Sequence, residues 1–275
     1  MDKSKILEHL TSNSWNPLTG ILEMGNNVCA LEIKDINSTN KLYGTGFFLK
    51  LNILGEEETY LVTNEQNVSE EFIASSSGEN PLERPSFKIK LKSIKQKSNT
   101  EDKTTTITIT IKDEEREICP NKKERKIYTF KQKTEADVTL IEILPEDNLP
   151  ETVNYFEVDD SYLTAANSFE CYKDKNICAM GYPSYDPKSN KDLKISFGNI
   201  TALGGIKAND EYLFRHNCSS IGGSSGAPII NCATQKVIGI HHGGLPVKNE
   251  FGEEIISDKG INEASFLYYF IEKIQ

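Results

Sequence analysis

The sequence predicts an all-β protein with a C-terminal helix, and three observations predict it. Short apolar segments recur along most of the chain, each bounded by polar or Gly/Pro-containing turns. Several alternate apolar with polar residues, as Ile107, Ile109 and Ile111 do on one face of 104–111. Helical spacing is confined to the two ends. Many short strands joined by polar turns make a β-barrel or a sandwich.

The elements follow in chain order. Ile6, Leu7 and Leu10 predict a short N-terminal helix. A first strand series covers 28–33, 44–51, 59–63, 87–91, 104–111, 127–130 and 137–143. Leu144 to Pro150 holds Pro145, Pro150, Glu146 and Asp147, and reads as a linker. A second series covers 176–180, 193–203, 212–216, 227–231 and 237–241. Phe266, Leu267, Phe270, Ile271 and Ile274 predict a closing helix, with Asn262 as its cap. The stretches 69–84, rich in Ser, Glu, Gly and Pro, and 113–126, of mixed charge, read as surface insertions. The expected organisation is an N-terminal β unit over 1–143, a linker over 144–160 and a C-terminal β unit over 161–275. There is no evident internal repeat.

Composition narrows the function. The 275 residues include 31 Lys+Arg and 41 Asp+Glu, a net charge of −10. That argues against general binding to nucleic acid or anionic membranes, which needs a basic surface. No apolar run is long enough to span a bilayer. In residues 1–15, Glu8, His9 and Thr11 break any signal-peptide core, so a cytoplasmic location is expected. The six cysteines (Cys29, Cys119, Cys171, Cys178, Cys218, Cys232) form no CxxC pair and no metal-ligand spacing. They are expected to be free thiols, and neither metal nor cofactor is expected.

Chemistry concentrates in Gly222-Gly223-Ser224-Ser225-Gly226-Ala227-Pro228. A nucleophilic serine needs a tight bend that holds its Oγ clear of the backbone and points N–H groups at the developing oxyanion. A plain glycine-rich turn between strands would have the same composition. Other motifs weigh on that choice. They are Tyr43-Gly44-Thr45-Gly46-Phe47-Phe48, Tyr60-Leu61-Val62-Thr63-Asn64, Ala136-Asp137-Val138-Thr139-Leu140-Ile141, Gly181-Tyr182-Pro183 and Val237-Ile238-Gly239-Ile240-His241-His242-Gly243-Gly244. Together, in this order, they resemble the chymotrypsin-like serine proteases over about residues 28–275. The glutamyl endopeptidases are the branch most resembled. The resemblance implies two six-stranded antiparallel β-barrels with a catalytic cleft between them. It implies Ser225 as nucleophile, Asp137 as the carboxylate that orients the base, and the Gly223 and Ser225 N–H groups as oxyanion hole. Ser219, Ser220, His241, His242, Gly243 and Gly244 would line the substrate site. Ser220 and His241 fall where that branch contacts an acidic side chain, and Ser219 lacks the carboxylate of trypsin-type specificity.

The chain departs from the family at the position of the base. The family's histidine motif reads Thr-Asn-x-His-Val, whereas this chain has Thr63-Asn64-Glu65-Gln66-Asn67-Val68. Gln66 therefore takes the position of the general base. Imidazole has a pKa of about 6.5 and exchanges protons near neutrality, but a carboxamide does not titrate there. Loss of the base costs on the order of 10⁶ in turnover. The expected function is a serine endopeptidase by lineage, severely impaired by Gln66. The alternative is a pseudoprotease that binds extended peptides in the same cleft, with Gly243 and Gly244 open to strand addition. A peptide or protein is the expected partner.

Overall fold

The computed structural model describes residues 20, 23–34, 41–69, 88–92, 95–97, 102–104, 107–110, 125–131, 136–159, 171–183, 193–203, 212–244, 246–248, 254–256 and 261–274. The expected N-terminal helix and most of both insertions lie outside these residues. Strands dominate the rest. They are β1 (Val28–Lys34), β2 (Lys41–Ile53), β3 (Glu56–Thr63), β4 (Lys88–Lys92), β5 (Lys95–Lys97), β6 (Asp102–Thr104), β7 (Ile107–Thr110), β8 (Ile127–Phe130) and β9 (Val138–Glu142) in the first half. After a 3₁₀ turn at Pro145–Asp147 come β10 (Asn176–Gly181), β11 (Lys194–Leu203), β12 (Leu213–His216), β13 (Pro228–Asn231), β14 (Val237–Gly244), β15 (Pro246–Lys248), β16 (Glu254–Ile256) and β17 (Asn262–Phe266). Helix α1 (Leu267–Ile274) closes the chain.

The second half forms a closed barrel in the order β10-β11-β12-β17-β14-β13. The first half forms a seven-stranded antiparallel sheet in the order β7-β4-β1-β2-β3-β9-β8. Among the described residues no pairing joins its edge strands. The pairs β15–β16 and β5–β6 stand apart as two-stranded sheets.

Strand periodicity divides the core. Cys29, Leu31 and Ile33 of β1 pack with Phe48, Leu61 and Ile141 on one face of the sheet. Phe47, Leu49, Tyr60, Val62, Val138 and Leu140 point to the other face. There they meet Cys178, Met180, Ile230, Val237 and Ile240 of the barrel, and Leu267, Phe270 and Ile271 of α1. That cluster cements sheet to barrel. The barrel interior has its own cluster around Ile177, Ile200, Phe214, Ile229, Ile238 and Phe266. Burying both faces of the sheet explains why β9 is buried throughout rather than alternating.

Residues 153–159 stitch the halves together. Lys50 N–H donates to Phe156 C=O at 3.0 Å, and Asp159 N–H to Val237 C=O at 3.0 Å. Arg125 and Asp147 pair at 2.7 Å, both nearly buried, and fasten the 3₁₀ turn beside β8.

One expectation is corrected. Asn262 does not cap the C-terminal helix: it opens β17, and the helix begins at Leu267. Its cross-strand partners are His216 and Gly244, so pairing on both sides overrides its capping preference. No helix among the described residues is long and apolar enough to cross a membrane. Cys29, Cys171, Cys178, Cys218 and Cys232 take part in no disulfide among the described residues, and Cys119 lies outside them.

Candidate active site

Ser225 sits in the bend between β12 and β13, and the sheet holds that bend. Thr45 N–H donates to Ser225 C=O at 2.9 Å, and Thr45 Oγ1 donates to Gly223 C=O at 2.8 Å. Asn67 Nδ2 donates to Ser225 C=O at 3.2 Å and to Thr63 Oγ1 at 3.0 Å. Behind the serine, Gly226 N–H donates to His241 C=O at 3.0 Å. Gly226 has φ +91°, and a Cβ there would strike the Thr45 carbonyl. Only glycine meets both demands. At Gly44 a Cβ would come within 2.5 Å of the Asn67 amide. The sequence motif around Gly44 thus makes room for the clamp on Ser225.

Asp137 lies just before β9, fully buried, with φ 50°. Asp is among the few side-chain-bearing residues that tolerate this left-handed conformation. Asn64 Nδ2 donates to its carbonyl at 2.9 Å, and Ser265 Oγ holds the preceding Ala136 carbonyl at 2.8 Å. The carboxylate accepts Gln66 N–H at 3.0 Å on Oδ1 and Gln66 Nε2 at 3.0 Å on Oδ2. Burial nevertheless pushes the carboxyl up to about 7, against the lowering effect of these bonds. These donors are neutral and bring no balancing positive charge.

Gln66 is exposed on its outer side. Its Nε2 also donates to His242 C=O at 3.3 Å. The same carbonyl accepts Ser225 Oγ–H at 2.8 Å. The structure therefore brings Gln66 and Asp137 into direct contact and joins Ser225 to Gln66 through one shared acceptor. No direct Ser225–Gln66 hydrogen bond occurs among the described residues.

Of the other sequence-selected residues, His242 reaches this centre through its carbonyl. Ser219 is exposed, and its N–H donates to Ser196 Oγ at 2.6 Å. Ser220 Oγ donates to Asn262 Oδ1 at 2.5 Å. His241 is buried, with Nδ1 3.2 Å from His216 Nε2. Burial lowers the imidazoles of His241 to about 4 and His242 to about 3, with the neighbouring His241 contributing to the latter. A Cβ on Gly243 would meet nothing within 4 Å, so there is space over the side-chain position there. Thr45, Thr63, Asn67, His216 and Asn262 were not anticipated as site residues. The Gly44-Thr45-Gly46 spacing and the Asn after Gln66 were the available signals. Among the described residues, no group of three or more His, Cys, Asp or Glu side chains converges as a metal site would.

A closed barrel carrying a serine bend, clamped against a sheet that presents a buried aspartate, defines a protein of the trypsin-like peptidase class. The chain belongs to the trypsin-like peptidase domain family, whose model matches residues 44–240. The glutamyl endopeptidase of Staphylococcus epidermidis is 33% identical over 85 residues, which cover 31% of this chain and 27% of that protein. The matched segment thus spans about a quarter of the relative's length. The HtrA-type protease AlgWS227A with tripeptide superposes with a TM-score of 0.52 at 12% identity, covering 92% of this chain and 60% of that one. AlgWS227A with decapeptide gives 0.51 at 12% identity, covering 92% and 64%. These structures share the fold.

Proposed function

We propose that this chain is a chymotrypsin-fold serine endopeptidase by lineage, with Ser225 as nucleophile and Asp137 as orienting carboxylate, and that Gln66 in the base position leaves it severely impaired. One observation carries the reading. Gln66 uses its backbone and side-chain N–H groups on the two oxygens of Asp137, while sharing the His242 carbonyl with Ser225 Oγ. A histidine at that position would be oriented by the same carboxylate and would face the same hydroxyl. The carboxamide accepts no proton from Ser225, and the hydroxyl hydrogen goes to a carbonyl instead. Gly223 and Ser225 N–H groups serve as the oxyanion hole. Ser219, Ser220, His241, His242, Gly243 and Gly244 border an extended peptide.

The two-barrel architecture belongs to the same proposal. β7 lies beside the 3₁₀ turn that follows β9, so the far edge of the sheet curls back toward its other end. Residues 1–143 and 161–275 then form the two units, joined by 144–160.

A second reading has its own support. Both N–H bonds of the Gln66 amide and the Ser225 hydroxyl hydrogen are satisfied within the protein, which suits a cleft that binds peptide without cutting it. Turnover by the Gln66→His variant tests the first reading. It should hydrolyse members of a broad peptide library that the parent leaves intact. No gain would count against the assignment of position 66. Calorimetric binding of extended peptides to the parent chain, without turnover, would support the second reading.

A further inference from the structure

We propose that Asn262 and Ser220, backed by the His216–His241 pair, select a side-chain carboxamide, that of glutamine, in preference to a carboxylate. The proposal rests on the peptide-cleft reading above and names the side chain that the cleft takes.

Asn262 is fully buried, and cross-strand pairing places it opposite His216 on β12 and Gly244 on β14. Directly paired residues project to the same face of a sheet, so His216 and Asn262 share one. The His241 ring meets His216 with centroids 5.3 Å apart. Three neighbouring strands thus bring these polar side chains together near Gly243, where a Cβ would meet nothing within 4 Å, and Ser220 joins them through Asn262. Arg215 points to the opposite face of β12, where it lies across from Glu263.

The hydrogen bonds fix what this cluster offers. Asn262 Nδ2 is 2.5 Å from Cys218 C=O, which can only accept, so the NH₂ end of the amide points there. Oδ1 then faces Ser220 at 2.5 Å and takes the hydroxyl hydrogen. Ser220 therefore presents lone pairs, and no proton, to an incoming group.

The histidine tautomer follows from burial. His216 Nδ1 is buried without a hydrogen-bond partner among the described residues. A bare ring nitrogen is less costly there than a stranded N–H. His216 accordingly donates from Nε2 to His241 Nδ1, leaving His241 Nε2–H as a donor. Both rings are neutral at pH 7, because burial pushes their basicity down.

Among these groups, one acceptor, one donor and no cation match a carboxamide, whose NH₂ donates to Ser220 and whose oxygen accepts from His241. A carboxylate only accepts, and it would set an anionic oxygen against the Ser220 lone pairs. The net charge of −10 also works against it.

The test is calorimetry on the full parent chain with blocked alanine-rich hexapeptides that differ at one residue: glutamine, glutamate or norleucine. Glutamine should bind about tenfold or more tighter than glutamate, the equivalent of one hydrogen bond exchanged for an acceptor–acceptor contact. Ser220→Ala, which leaves the barrel core untouched, should shrink that ratio to about threefold or less. Asn262→Ala should do the same if circular dichroism shows it folded. Glutamate binding as tightly as glutamine overturns the proposal and leaves the peptide-cleft reading standing. Failure of all three peptides to bind the folded chain removes the cleft reading, and this proposal with it.

Discussion

Raising the pH from about 5 to about 8 should weaken the fold through one carboxyl group. Asp137 is fully exposed when unfolded, with an ordinary value of 3.8, and is raised to about 7 by burial in the fold. A raised carboxyl binds more protons folded than unfolded between those values. Its stabilising contribution is therefore complete below 3.8 and is lost as pH rises through about 7. The full difference corresponds to about 4 kcal/mol, of which about 2–3 kcal/mol falls between pH 5 and pH 8. Against a typical domain stability of about 5–15 kcal/mol that is easily measured. Asp137→Asn supplies the control. It keeps the shape, and the Gln66 amide can turn over so that its oxygen meets the new NH₂ group. Urea unfolding of both proteins at a series of pH values gives a difference curve free of other titrations. The parent should lose stability relative to the variant across this window and level off above about pH 8. A difference that is flat, or that grows in the parent's favour with pH, would refute the reasoning: the carboxylate would then have a compensating cation.

Other predictions follow from the same geometry. Gly226→Ala forces a Cβ onto the Thr45 carbonyl at φ +91° and should cost more than about 2 kcal/mol of stability by denaturant titration. Ser225 gives its hydroxyl hydrogen to the His242 carbonyl, so a fluorophosphonate should label the parent chain at least about 10³-fold more slowly than the Gln66→His variant, read by intact mass. Arg125→Ala strands the buried Asp147 carboxylate and should cost about 3–5 kcal/mol in the same titration.

Much of the barrel was legible because its strands carry their signal locally. Segments such as 237–241 and 176–180 are apolar runs between turn residues, and they recur as β14 and β10 with shifted ends. β17 was not legible. Asn262-Glu263-Ala264-Ser265-Phe266 has weak strand propensity, and it is a strand because β12 and β14 pair with it on both sides. The direct contact of residues 66 and 137 was anticipated through ordered motifs. The clamp on Ser225 was not, because Thr45, Asn67 and Thr63 act through backbone carbonyls and leave no chemical signature in sequence. Asn262 was hidden for a related reason. An Asn ahead of a helical pattern reads as a cap, and only the tertiary fold shows its amide committed to Ser220 and Cys218.

The most direct measurement is kcat/KM of Gln66→His on a cleaved peptide, compared with the parent and with Gln66→His combined with Ser225→Ala. Ser225 gives up one hydrogen bond to His242, about 1 kcal/mol, to engage the new base. Restoring the proton carrier should outweigh this by far, with a gain on the order of 10⁴–10⁶ that disappears in the double variant. Its acid limb should follow an imidazole titrating near about 6.5. A Gln66→His protein that folds, binds the peptide and cleaves no faster than the parent would contradict the account, because position 66 would not then be where the proton has to go.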